Sequence, residues 1–95
     1  MIVENITDIL TERSGRYGTF KTNAQLSQAL KLIVFHFTET ERKDELCSEH
    51  CEAIEMIFHK ISRIVCGDAN YKDSWVDIQG YAKLGEDACI TKTKK

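Results

Sequence analysis

Apolar residues recur along this chain at helical rather than strand spacing, and they divide it into four segments. In the first, residues 2–13, Ile2, Val3, Ile6, Ile9 and Leu10 fall on one stripe, and Glu4, Asp8, Thr11 and Glu12 fall elsewhere. Ser14-Gly15 reads as its break, and Arg16-Tyr17-Gly18-Thr19-Phe20 as a loop. A second helix follows a cap at Thr22 or Asn23, with Leu26, Ala29, Leu30, Ile33 and Phe37 as its inner stripe. Leu32, Val34 and Phe35 point to other faces, so its end is apolar nearly all round. In a chain of 95 residues that pattern favours a subunit interface.

Thr38 to Glu45 is densely charged and reads as an exposed loop or a helix lead-in. The third helix, capped by Ser48, runs to Cys66 and stops at Gly67. Its apolar stripe is Ala53, Ile54, Ile57, Phe58, Ile61, Ile64 and Val65, with Glu52, Glu55, Met56, His59 and Arg63 opposite. Gly67-Asp68-Ala69-Asn70 is turn chemistry. Ser74 and Asp77 have the spacing of a capping box for a last helix reaching Asp87. Trp75, Ile78, Tyr81, Ala82 and Gly85 form its inner stripe, and Gly80, Ala82 and Gly85 are small enough to admit a neighbouring helix closely. The expectation is an all-α fold: a compact bundle of about four helices over 1–90, completed by dimerisation, with a disordered basic tail at 91–95.

Composition supports this. The chain has no proline, the main helix breaker, and its 42% hydrophobic and 29% charged residues are those of a globular domain. A chain this short buries a modest share of its unfolded surface, which again points to a partner subunit. The net charge of −2 gives no strong nucleic-acid signal. No apolar run approaches the roughly 18–20 residues of a membrane span, and no signal peptide is visible at the N-terminus. The expected location is the cytoplasm. Cys47, Cys51, Cys66 and Cys89 lack the paired spacing of a structural zinc site, so reduced thiols are preferred over zinc held by Cys47, Cys51 and His50 or His59.

The candidate chemistry is acidic. Glu52 and Glu55 share one helical face, and Asp73 and Asp77 lie one turn apart at the start of the last helix. Two such pairs on adjacent helices suit Mg²⁺, which favours carboxylate oxygens and can bridge phosphates. Lys60, Arg63 and Arg16 are candidate phosphate contacts, and Tyr17, Trp75 and Tyr71 candidate stacking partners for a base. Each has a plainer reading. Glu55, His59 and Arg63 are spaced like a solvated face with weak charge pairs, Asp77 could merely complete a cap, and His36 and the aromatics could be core. No dinucleotide-binding fingerprint, P-loop or nucleophile elbow is present.

Three stretches carry a resemblance: Ile9-Leu10-Thr11-Glu12-Arg13 through Arg16-Tyr17-Gly18-Thr19-Phe20, Glu52 to Ile64 (EAIEMIFHKISRI), and Gly67 to Leu84 (GDANYKDSWVDIQGYAKL). Together they resemble a family of short phage and prophage proteins of unassigned function. The last also looks like the D-x-x-x-D-x-x-x-Y-A helix of MazG-like all-α nucleotide pyrophosphohydrolases. That likeness implies Mg²⁺ bound by carboxylates of two helices, a dimeric or tetrameric assembly, and release of pyrophosphate from a nucleotide. Glu52 and Glu55 match the first acidic motif and Asp77 the second, which makes Glu55 and Asp77 the catalytic candidates and Glu52, Glu55, Asp73 and Asp77 the metal candidates. Two departures stand out: Cys51 occupies the place of a leading glutamate, and Ser74 that of the glutamate before Asp77, so that Asp73 would have to substitute. The competing expectation is a non-enzymatic phage protein that binds and inhibits a host protein, for example a defence component such as a CRISPR complex. A structural helical dimer within a phage assembly is a third. If phage-encoded, the protein would act in the host cytoplasm.

Overall fold

The computed structural model describes residues 5–41 and 46–90. Among these are four helices, α1 (Ile6–Tyr17), α2 (Phe20–Glu41), α3 (Ser48–Cys66) and α4 (Lys72–Asp87), so the chain is an all-α helical bundle. The predicted start of the first helix at Ile2 and Val3, the end of the charged connection at 42–45 and the basic tail at 91–95 lie outside the described residues.

The first two helices sit later and earlier than the pattern suggests. Asn5 caps α1 by accepting from the Thr7 amide (2.7 Å). The helix does not break at Ser14-Gly15 but continues to Tyr17, because one exposed glycine costs only about 1 kcal/mol in a helix interior. It ends at Gly18, whose φ of +84° suits glycine and whose N–H reaches the Ser14 carbonyl. Arg16 and Tyr17 are therefore the last turn of a helix, not a loop. α2 starts at Phe20, and its cap is Thr19, whose Oγ1 accepts from the Thr22 amide, rather than Thr22 or Asn23.

α1, α2 and α4 all pack on α3. That central position explains where the simple two-faced reading of α3 departs from the structure. Ala53 and Phe58 are buried as predicted, but so are Lys60 and Ser62, and Glu55, Met56 and Arg63 are half-buried rather than solvated. Val65, expected inside, is exposed. α3 bears no side-chain cap from Ser48; its N-cap residue is Cys47. On α2 Leu26 and Leu30 of the expected stripe are half-buried, but the inward face is rotated past the rest: Ser27 is buried and Lys31, Val34, Phe35 and Thr38 are half-buried, while Ala29, Ile33 and Phe37 face outward with Leu32. His36 is exposed as well. Phe35 meets Phe58 edge to face, with centroids 6.3 Å apart, and seals the α2–α3 contact.

α4 begins two residues earlier than predicted, and the capping box does not form. Ser74 is buried in the first turn, and Trp75 and Ala82 are exposed. Gly85 alone of the small residues works as expected: a Cβ there would stand 3.6 Å from that of Ala53 on α3, whereas one at Gly80 would meet open space.

At the lower end of the bundle the chain ends of α1 and α3 cross. The Asp68 amide donates to the Arg16 carbonyl (2.7 Å), and a Cβ on Gly67 would collide with the backbone of Arg16 and Tyr17. A Cβ on Gly18 would likewise strike the Cys66 carbonyl. We expect Gly67→Ala to destabilise the protein by about 2 kcal/mol or more, and Gly15→Ala, which meets nothing, to stabilise it by about 0.5–1 kcal/mol. Urea titration of both variants checks the contrast.

Candidate functional site

The crossing of α1 and α3 places a set of aromatic and cationic side chains together. Tyr17 and Tyr71 meet edge to face at 5.6 Å. The Arg16 guanidinium lies 5.4 Å from the Tyr17 ring centre and 5.2 Å from that of Tyr71, and Arg63 lies over Tyr17 at 4.4 Å. Arg16 also pairs with Glu12 (3.7 Å), while Tyr71 donates to Asp73 (3.3 Å). Burial and the Asp73 carboxylate hold the Tyr71 phenol above its ordinary pKa, so it remains a neutral donor.

Beside this stack lies a cleft of 470 Å³ between the end of α1, the first two turns of α2 and the last turns of α3. A volume of this order suits a small-molecule ligand. Arg13 and Tyr17 reach it from α1, Asn23 and Ser27 from α2, and His59, Ser62 and Arg63 from α3, with Leu10, Phe20 and Ala24 supplying apolar surface. The Asn23 amide is oriented by its own backbone: Nδ2 donates to the carbonyls of Tyr17 (2.6 Å) and Thr19 (2.8 Å), which fixes Oδ1 as the acceptor left over. Desolvation, then the charges of Lys31 and Arg63, lower the His59 pKa below its ordinary 6.5, so the imidazole is neutral at pH 7. The cleft thus offers two guanidinium groups, one neutral imidazole, hydroxyls and an amide oxygen.

Of the residues singled out from sequence, Tyr17 and Arg63 line this cleft, and Arg16 stands against Tyr17 just outside it. His59, named from sequence as a zinc alternative and a solvated-face residue, lines it too, whereas the acids, Lys60 and Trp75 are elsewhere. Glu55 pairs with Lys31 of α2 (3.8 Å), and Asp77 with Lys60 of α3 (3.1 Å), so two of the metal candidates each face a lysine. Lys60 is itself buried, and its ammonium is taken by Asp77 rather than presented to a ligand. Asp73 accepts from Tyr71, and Glu52 is exposed. Trp75 is half-exposed on α4, its Nε1 donating to the Ala69 carbonyl (2.8 Å). Among the described residues no three His, Cys, Asp or Glu side chains gather where they could hold a metal ion. Glu52, Glu55, Asp73 and Asp77 are thus not gathered into one cluster among the described residues of one chain. The cysteines are free thiols, with Cys89 Sγ 3.8 Å from His50 Nε2.

Arg13, Phe20, Asn23, Ser27 and His59 complete the cleft, and no motif in the sequence joins them as one site. The available signal is polar spacing: Asn23 and Ser27 lie one turn apart on α2, and His59, Ser62 and Arg63 repeat at the same interval on α3, which places each set on one face. Comparison of the chain with protein-family models, curated proteins and solved structures gives no match.

Two outcomes follow from these contacts. Asp77→Asn leaves the buried Lys60 ammonium without its counter-charge and should cost about 1–2 kcal/mol, Asp77 itself being half-exposed, while Lys60→Met should cost less; chemical denaturation of both variants compares them. Because His59 titrates lower in the folded than in the unfolded chain, its contribution to stability is complete above pH 6.5 and is lost as pH falls through the folded value. An NMR titration of the His59 ring should place its midpoint below 6.5.

Proposed function

We propose that this protein binds a nucleotide in the cleft between α1, α2 and α3, as a phage or prophage accessory protein of the MazG-like helical type. The observation that carries the reading is the convergence of Arg13, Arg63 and Tyr17 on one cavity of 470 Å³, with Arg16 against the Tyr17 ring just outside it. Guanidinium groups are suited to bidentate contact with phosphate oxygens. The apolar side of the cleft, with Phe20 at its rim, suits the face of a base. His59, neutral before binding, gains a reason to hold a proton once an anion lies beside it.

Pyrophosphohydrolysis is the further part of this proposal. The carboxylates within one chain are divided between Lys31, Lys60 and Tyr71, so in this proposal the Mg²⁺-holding set draws acids from a second copy. Binding and turnover are therefore separable, and a binder without hydrolytic activity agrees with the same cleft.

A second reading rests on a different face. Leu32, Ile33 and Phe37 are 72%, 67% and 59% exposed on α2, an apolar surface of the kind that marks protein contact. It suits either a homodimer or a host protein bound and inhibited by this chain.

Thermal unfolding with each common nucleotide, with and without Mg²⁺, tests the first reading. A nucleotide at ten times its Kd adds about 1.4 kcal/mol, on the order of 5–10 °C for a domain of this size. The gain should shrink in Arg13→Gln, and no shift at millimolar nucleotide would remove the proposal. Sedimentation velocity separates the uses of the α2 face: a dimer that Ile33→Glu converts to monomer identifies a second copy, and a wild-type monomer leaves the face to another protein.

A further inference from the structure

The inner wall of the cleft contains two polar groups that find no partner among the described residues. Ser27 is 3% exposed, and neither its Oγ nor Asn23 Oδ1 has a hydrogen-bond partner among the described residues. A buried hydroxyl or amide oxygen left this way is costly, and native proteins rarely keep one without a use. For Asn23 a simple reorientation does not supply the missing partner. The Asn23 amide is held by two donations from Nδ2, so turning it over would set its oxygen against the carbonyls of Tyr17 and Thr19. The hydroxyl of Ser62, also in the wall, behaves differently and donates to the Phe58 carbonyl (2.9 Å). The unpartnered pair is thus confined to α2, one turn apart and on the side that faces the cavity.

We infer that Asn23 and Ser27 recognise the hydrogen-bonding edge of a nucleobase, with Asn23 Oδ1 accepting from a ring or amino N–H and the Ser27 hydroxyl serving the adjacent acceptor. The inference rests on the nucleotide reading of the cleft and assigns its two ends. The phosphates lie toward the exposed Arg13 and toward Arg63, and the base lies inward. Asn23 Oδ1 is an acceptor without a donor, which selects against a ligand made only of acceptors. A bare polyphosphate satisfies the arginines and leaves the inner wall unmet. A nucleotide satisfies both, because every base carries a donor next to an acceptor on that edge.

Ser27→Ala separates the roles. It removes a buried hydroxyl that the fold does not use and places a better helix former in α2, so the ligand-free melting temperature should equal or exceed that of the wild type. Nucleotide affinity, measured by calorimetry, should fall about tenfold, and tripolyphosphate affinity should stay as it was. Arg13→Gln should weaken both ligands. Unchanged nucleotide affinity in Ser27→Ala, as expected if a water serves the hydroxyl, would overturn the base-edge assignment and leave the nucleotide reading standing. Equal weakening of tripolyphosphate would also overturn it. Failure of the wild type to bind any nucleotide would remove both together.

Discussion

Where the ends of α1 and α3 cross, two backbones approach too closely for any side chain to lie between them. Gly18 and Gly67 provide the space, and the hydrogen bond from Asp68 to the Arg16 carbonyl joins the two chain segments. Everything distinctive nearby follows from that contact. It sets Tyr17 against Tyr71, aligns Arg16 and Arg63 on the rings, and closes one end of the cleft. Two short connections, rather than a large core, locate the candidate site.

The core is small. Among the described residues Ala53 and Phe58 are the buried apolar side chains, whereas Ile6, Leu10, Phe20, Leu32, Ile33, Phe37, Val65, Trp75, Val76, Leu84 and Ile90 are exposed. At roughly 25 cal/mol per Å², so much apolar surface left in water is a large unrealised stabilisation for a chain of this length. A ligand in the cleft and a partner on α2 would each recover part of it, and both belong to the proposals made for this protein.

The acidic residues show how one charge pattern can serve two ends. Glu55 and Asp77 have the spacing of metal ligands along their helices, yet they face different neighbours: α2 brings Lys31 to one, and the buried Lys60 of α3 meets the other. A lysine ammonium satisfies a carboxylate much as a cation would. Helical spacing alone does not distinguish the two cases, because it places residues on a face and is silent about what the adjoining helix presents there.

The four helices were legible in the sequence, since apolar spacing, the absence of proline and the turn at Gly67 are local properties of the chain. The C-terminal end of α3 and the close approach at Gly85 were legible for the same reason. The rotation of α2, the burial of Lys60 and Ser62, and the continuation of α1 through Gly15 were not. The first two depend on the helices packed around α3, a condition that no single helix encodes, and the third on the small cost of one exposed glycine, which a break signal overstates. Tyr17 and Arg63 could be chosen from their chemistry, but their convergence with Arg13, Asn23, Ser27 and His59 arises only when three helices meet. Local periodicity is written along one strand of sequence, whereas a cleft belongs to residues far apart in the chain, and only tertiary packing decides which of them share it.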